Sequence, residues 1–467
     1  MKVAVFIMKE KRPNILFIMY DQQRYDCVEM SHVFPVKTPN LARIADNGAF
    51  FENAYTPIPV CCPARQALFV GRRPEAYGGL WNPHIVFPIR DTPACDRFSQ
   101  RIKDSGYNTA YVGLWEADPV LTPLDYGFDS YVSRADINKS ISEKYPDVKY
   151  TNGYFGEPSP IPLEDAYTHQ TARIACERLD ELMKGDKPWY LHIDSPEPHL
   201  PCRPSAPFDT MYDPDSIPEW GTNCETFEGK PYIQHQQLIN WGLENRTWDD
   251  WKHTAAMYYG VVSQYDDAVG RVLDKLEEGG QLENTIIVYT VDHGDMCGGH
   301  RLIDKHYNMY EDICHVPAAI RWDGHIVPGR YTGYIHNCLD IVPTVLSLAG
   351  IGIPEGHQGE DISGRLTAGS FAEGRDWAVS TYNGQQFGLF CSRMIKKGDL
   401  KYVWNLTDTD ELYDLRADPH ELTNRIKDES YADRVAELRR MLLAELERCH
   451  DPIIGWNRRQ LTEGRKL

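Results

Sequence analysis

The chain has 467 residues, 49 of them Lys or Arg and 68 Asp or Glu, for a net charge of −19, and 42% of it is hydrophobic. This composition supplies a large core and excludes global disorder. It argues against a general nucleic-acid or anionic-membrane binder, but still allows one locally positive pocket.

The length suits one large domain with a smaller one. Twelve cysteines are scattered along the chain, which is long enough to need no disulfide staples. No apolar run reaches the roughly 18 residues of a membrane-spanning helix. The opening MKVAVFIMKEKRPN has a short apolar stretch followed by charges, without a full signal-peptide core or a cleavage site. A cytoplasmic protein with reduced thiols is therefore expected, and the sequons at Asn138, Asn245 and Asn405 are read as accidental.

In chain order, residues 13–21, PNILFIMYD, form an apolar run of strand length that ends in a carboxylate. A helix is predicted over CCPARQALFV, with Pro63 in its first turn and Gly71 as its stop. NTAYVGLW (108–115), PWYLHID (188–194), NTIIVYTVD (284–292) and VPAAIRW (316–322) read as further strands buried on both faces of a parallel sheet. Helices are predicted over 164–185, 254–278 and 339–350. Residues 195–250 are rich in Pro, Trp and Tyr and poor in period, which suggests an insertion near a site. The alternation predicts an α/β domain over 1–365, a doubly wound, mostly parallel sheet sandwiched by helices. Residues 366–467 read as a smaller C-terminal α+β subdomain, a small antiparallel sheet with a helix over 429–449.

Ligands of open α/β sheets gather at the carboxyl ends of strands. Two predicted strands end in loaded pairs, Asp21-Gln22 and Asp292-His293. The adjacent Cys61 and Cys62 cannot be a CxxC redox pair, and a zinc site would want ligands nearer than Cys95. A buried structural cysteine is the bland alternative. Local physics favours another role. At a helix N-terminus the dipole and free N–H groups attract an anion, and Arg65 lies one turn on. A nucleophile beside an anion pocket suits attack on a sulfate or phosphate ester.

C-x-P-x-R followed by a helix and GRRP resembles the signature of the type I sulfatases, in the alkaline phosphatase-like superfamily. PNILFIMYDQQRYD, SPEPHLP, YTVDHGD, HRLIDKHYNMYED and ELYDLRADPHELTN resemble further family segments, in the family's order over nearly the whole chain. The resemblance implies that a maturation enzyme oxidises Cys61 to formylglycine, whose hydrate attacks sulfur before sulfate leaves by elimination. It implies a divalent metal held by Asp21, Gln22, Asp292 and His293, with Cys61 completing the set. The family usually holds Ca2+, and the oxygen-rich set also suits Mg2+ or Mn2+. Arg65 and Lys305 would stabilise charge on the anion, and His199 would protonate the leaving oxygen with Lys305 as second candidate.

The chain departs from the pattern at VGLWEAD, where Leu114 and Glu116 stand for the family's usual lysine and histidine. Glu116 either pairs with Arg65 or an outside lysine, or meets a hydroxyl or cation of the substrate. The same segment differs in phosphonate monoester hydrolases and phosphodiesterases, which share the formylglycine and metal pairs. Sulfate-ester hydrolysis, of a sulfated sugar or aryl sulfate, is the main expectation, with Glu116, Lys305 and His199 contacting the substrate. Phosphonate or phosphodiester hydrolysis is the alternative, and a non-catalytic binder that kept the fold is a third. A homo-oligomer fits as well.

Cys297, His300, His306, Cys314 and His315 are too irregularly spaced for zinc, and are read as buttressing the Lys305 loop. His84, Tyr382, Asn383 and Gln385 are pocket-lining or ordinary loop residues. Tyr212, Trp220, Trp241, Trp248 and Trp251 stack on a substrate ring, pack as satellite core or make an oligomer contact.

Overall fold

The computed structural model describes residues 12–82, 96–384 and 389–464. His84, Cys95 and Gln385 lie outside them. The strands of the first part are β1 (Asn14–Tyr20), β2 (Ala49–Phe51), β3 (Ala54–Tyr55), β4 (Asn108–Gly113), β5 (Ser130–Ser133), β6 (Trp189–Ser195), β7 (Thr285–Val291), β8 (Ala318–Arg321), β9 (Gly329–Tyr331) and β10 (Ile335–His336). Eight form one sheet in the order β5-β4-β6-β1-β7-β8-β2-β9, and β3 and β10 make a separate parallel pair.

β1, β6 and β7 are buried along their whole length, as unbroken apolar runs with helices on both faces should be. β5, β4, β6, β1 and β7 all run parallel. The run at 316–322 was expected to join them, but β8 lies antiparallel to β7 and β2. The reason is the connection. The chain leaves β7 at its carboxyl end and returns through residues 292–317, which hold only single turns and the short helix Glu311–Cys314. No crossover helix carries it back to the other end of the sheet.

The long helix Trp248–Glu278 starts six residues before the predicted boundary, where Thr247 and Asp250 form a capping box. Its predicted apolar face, from Tyr258 to Leu276, is buried. The helices Tyr167–Leu182 and Asn337–Leu348 fall close to their predicted spans. Among the described residues no helix is long and apolar enough to cross a membrane.

The insertion is packed into the core. Trp220 stacks on Phe34 at 4.9 Å and Trp251 is fully buried, while Tyr212, Trp241 and Trp248 pack against the same cluster. These aromatics pack as satellite core.

After residue 376 the chain forms an antiparallel meander of β11 (Trp377–Asn383), β12 (Cys391–Lys397), β13 (Leu400–Asn405) and β14 (Glu411–Asp414). One face sends Ala378, Tyr382, Met394 and Val403 into the main core. The other packs Val379, Ile395, Tyr402 and Trp404 against Val435, Leu438, Leu442 and Leu446 of the helix Ala432–Arg448.

Candidate active site

Three adjacent parallel strands end side by side, with Tyr20 in register with both Ser195 and Val291. Asp21, Asp194 and Asp292 thus converge on one spot, where Arg65 reaches all three. Its Nε donates to Asp292 Oδ2 at 3.2 Å, Nη2 to Asp21 Oδ2 at 3.1 Å, and Nη1 to Asp194 Oδ2. All four side chains are buried. Arg65 therefore faces the carboxylates of the cluster, whereas the sequence pointed it at the substrate anion.

The helix Cys61–Val70 begins at the cysteine and ends at Gly71, whose φ is +71°. Cys61 Sγ lies 3.1 Å from His293 Nε2 and 3.8 Å from Asp21 Oδ1. Not every first-turn N–H is free for an anion, because Cys62 N donates to Asn82 Oδ1 at 2.9 Å. Burial and the neighbouring Asp21 push the Cys61 thiol well above its ordinary range. An unmodified thiol here makes a poor thiolate nucleophile.

Asp21, Cys61, Asp292 and His293 each offer a ligand atom, all within 4.8 Å of one another. Burial opposes charge on Asp21, but Arg65 foremost and Lys305 outweigh it and hold the carboxyl below its usual range. Burial and the Asp21 carboxylate push Asp292 well above that range. A divalent cation between the two carboxylates would relieve this repulsion, so the donor set fits a metal. His293 is prepared for the same role. Its Nδ1 donates to the Gly294 carbonyl at 2.9 Å, which leaves the Nε2 lone pair facing the cluster, and burial followed by Lys305 keeps the ring neutral. Gln22 is fixed by its backbone N–H on Asp292 Oδ1 at 3.0 Å, with a φ of +66°. Its side-chain oxygen accepts from Lys305 Nζ at 2.7 Å, and its amide nitrogen donates to Asp295 and Asp304.

Lys305 also lies 3.1 Å from His199 Nε2 and 3.1 Å from Asp304 Oδ1. Burial works against its charge, but Asp304, Cys61 and Asp21 raise its pKa. Burial and then Lys305 lower that of His199. The resting pair is thus an ammonium beside a neutral imidazole. The loop that carries Lys305 is unusual. Cys297, His300, Arg301, Asp304, His306 and Tyr307 all have φ between 44° and 95°, a region that side-chain-bearing residues enter at a cost. Contacts from the insertion hold it, with Gln237 Nε2 on the Lys305 carbonyl at 3.0 Å, His300 Nδ1 on Glu225 at 2.7 Å, and Arg301 Nη2 on the Glu244 carbonyl at 2.8 Å.

Leu114 is buried, and its N–H donates to the Asp194 carbonyl at 2.9 Å. Gly113, at φ +109°, lets β4 pass this carbonyl, because an added Cβ would come within 1.8 Å of it. Glu116 is partly exposed at the rim. Its nearest cation is Arg134, at 3.9 Å, instead of Arg65 or a lysine. Burial, and then Asp21, raise its pKa.

Sequence reasoning missed Asp194, Asp295 and Asp304. Asp194 had a legible signal, since PWYLHID ends in a carboxylate just as β1 and β7 do. The histidines of the irregular Cys/His group go separate ways. His300 bonds Glu225, His306 lies 3.3 Å from Asp304, and His315 donates to the Glu52 carbonyl at 2.8 Å. Tyr382 and Asn383 are buried at the end of β11.

Known proteins resemble the chain over most of its length. The profile of the family described as Sulfatase matches residues 13–351. A second profile, described as the C-terminal part of N-sulphoglucosamine sulphohydrolase, matches residues 298–448. The chain is 31% identical to the uncharacterized sulfatase YidJ of Escherichia coli K12, over 95% of this chain and 88% of that protein. It is 28% identical to an arylsulfatase of Clostridium perfringens, over 93% and 95% of the two chains. Its fold superposes with a TM-score of 0.80 on the phosphonate monoester hydrolase of Agrobacterium radiobacter, at 24% identity, covering 94% of this chain and 96% of that one.

Proposed function

This chain belongs to the sulfatase family of sulfuric ester hydrolases, and from that premise we propose that it cleaves the sulfate ester of a small carbohydrate or aryl group at the strand-end cluster. The observation that carries this reading is the meeting of Asp21, Cys61, Asp292 and His293 with the Lys305–His199 pair at the ends of three strands. Cys61, converted to formylglycine, would supply the attacking oxygen. A divalent cation held by Asp21, Asp292, His293 and Gln22, Ca2+ by family habit and Mn2+ or Mg2+ by donor chemistry, would supply Lewis acidity. Cys61 is only 3% exposed, so a maturation enzyme would have to act before the chain folds.

The remaining residues position charge and protons. Arg65 joins the three aspartates and holds them in place. The Lys305 ammonium meets a non-bridging oxygen of the anion. His199 is neutral at rest with Nε2 turned to Lys305, so the Lys305 ammonium is the group that carries a proton for the leaving oxygen.

A second reading, phosphonate monoester or phosphodiester hydrolysis with the same groups, draws on Leu114 and Glu116, which remove one positive charge and add one negative. The test is kcat/KM for 4-nitrophenyl sulfate beside 4-nitrophenyl phenylphosphonate, using protein matured by a formylglycine-generating enzyme. A sulfate preference of about a hundredfold, roughly 2.7 kcal/mol, is expected, and the opposite preference would move the chain to the second reading.

The metal is tested by unfolding. Titrating chelator-treated protein with Ca2+ or Mn2+ is expected to raise stability by about 2.7 kcal/mol at a hundredfold excess over Kd. The absence of any shift with Ca2+, Mg2+ or Mn2+ would count against a metal at this cluster.

A further inference from the structure

His199 belongs to two places. Its Nε2 faces Lys305 and the cluster, and the residue also lines a cavity of about 270 Å³. Pockets for drug-sized ligands run from about 300 to 1,000 Å³, so this one has room for a single sugar ring and not an oligosaccharide. Its walls include Arg134, Tyr150, Tyr167, Glu197 and Arg203.

The charges in this pocket are unevenly matched. Arg134 lies 3.9 Å from Glu116, and burial raises the pKa of Glu197 although its carboxylate accepts from Ser195 Oγ at 2.7 Å. Arg203 differs. Its guanidinium stands on the Tyr150 ring at 3.8 Å from the centroid, and its Nε is buried with no hydrogen-bond partner among the described residues. Glu157, the acid nearest in influence, gives one oxygen to the Thr151 and Asn152 amides, at 2.6 and 2.7 Å. The hydroxyl of Ser205, which lines the same cavity beside that of Tyr167, is buried and likewise without a partner. Buried donors left unmade are costly, so two in one pocket point to a ligand that completes them.

We propose that this pocket is a subsite for a second anionic group on the substrate, a carboxylate or further sulfate on the sugar that bears the scissile ester, read by Arg203 while Tyr167 and Ser205 take ring oxygens. A planar guanidinium suits either oxyanion. This inference rests on the sulfatase reading of the neighbouring cluster.

The test uses full-length Cys61→Ala protein, titrated calorimetrically with glucose 6-sulfate, D-glucosamine 6-sulfate, D-glucosamine 2-N,6-O-disulfate and a 2-sulfated hexuronate. At least one of the two ligands with an extra anion is expected to bind about tenfold or more tighter than glucose 6-sulfate. The larger gain tells a second sulfate from a carboxylate. Arg203→Gln should remove most of that gain, and Arg203→Lys, which keeps the charge without the fork, should restore part of it. Equal binding of all four, preference for the cationic amine, or no binding by any would overturn the subsite. Matured wild-type chain assayed on 4-nitrophenyl sulfate separates the two readings. Turnover there without an anion preference sinks the subsite alone, whereas no turnover sinks the sulfatase reading.

Discussion

Arg65→Met is expected to destabilise the folded chain by about 3–5 kcal/mol, the cost of leaving buried charge unpaired. Methionine can fill the space, but it cannot donate to Asp21, Asp194 and Asp292, which Arg65 now joins. Burial already works against charge on Arg65, and the three aspartates overcome it. The loss should therefore exceed that of any surface ion pair. Its pH dependence has a definite sign. In the wild type the folded-state pKa of Asp21 is depressed, so its contribution is present above the unfolded value and fades as pH falls. In the variant the crowded carboxylates bind protons more readily when folded, so the stability gap should narrow as pH drops from 7 to 5. Urea denaturation at both pH values measures this, and an unchanged midpoint at pH 7 would show that the guanidinium is not what holds the cluster.

Cys61→Ala is expected to lower kcat on the order of 10⁴-fold or more, the scale seen when a covalent nucleophile is removed. Cys62→Ala is the matched control. Cys62 is as buried as its neighbour but lies outside the ligand group, and its backbone N–H is already bound to Asn82. Its loss should keep turnover within about tenfold. Single-turnover assays on matured protein compare the two. A reversed pattern would exchange the two cysteines, and survival of activity in both variants would remove formylglycine from the mechanism.

Much of the fold was legible because burial on both faces leaves a plain trace. β1, β6 and β7 appear as unbroken apolar runs, and the helix Cys61–Val70 carries its own start and stop. Short strands such as β2 and β9, three residues each, leave no periodicity to read. The direction of β8 was hidden because direction is a property of the connection and not of the run. At the site, residues at strand ends or in short motifs could be found. Arg65's partners and the place of Glu116 depend on side-chain reach across distant segments, which spacing does not encode. Arg203 gave no signal at all. Its meaning comes from Tyr150 beneath it and a missing partner, both set by tertiary packing.

The left-handed residues around Lys305 bear on how the chain folds. At a cost of roughly 1 kcal/mol or more apiece, six such residues form a segment that cannot hold its own shape. Its shape is enforced by Glu225, Gln237 and Glu244, all from the insertion between β6 and the long helix. A folding intermediate with the parallel strands paired but the insertion undocked would therefore already hold its aspartates at the strand ends, with the ammonium still unplaced. Competence would arrive in the last, cooperative step. A nick or deletion within residues 225–244 of the insertion would silence the site without touching any group in it.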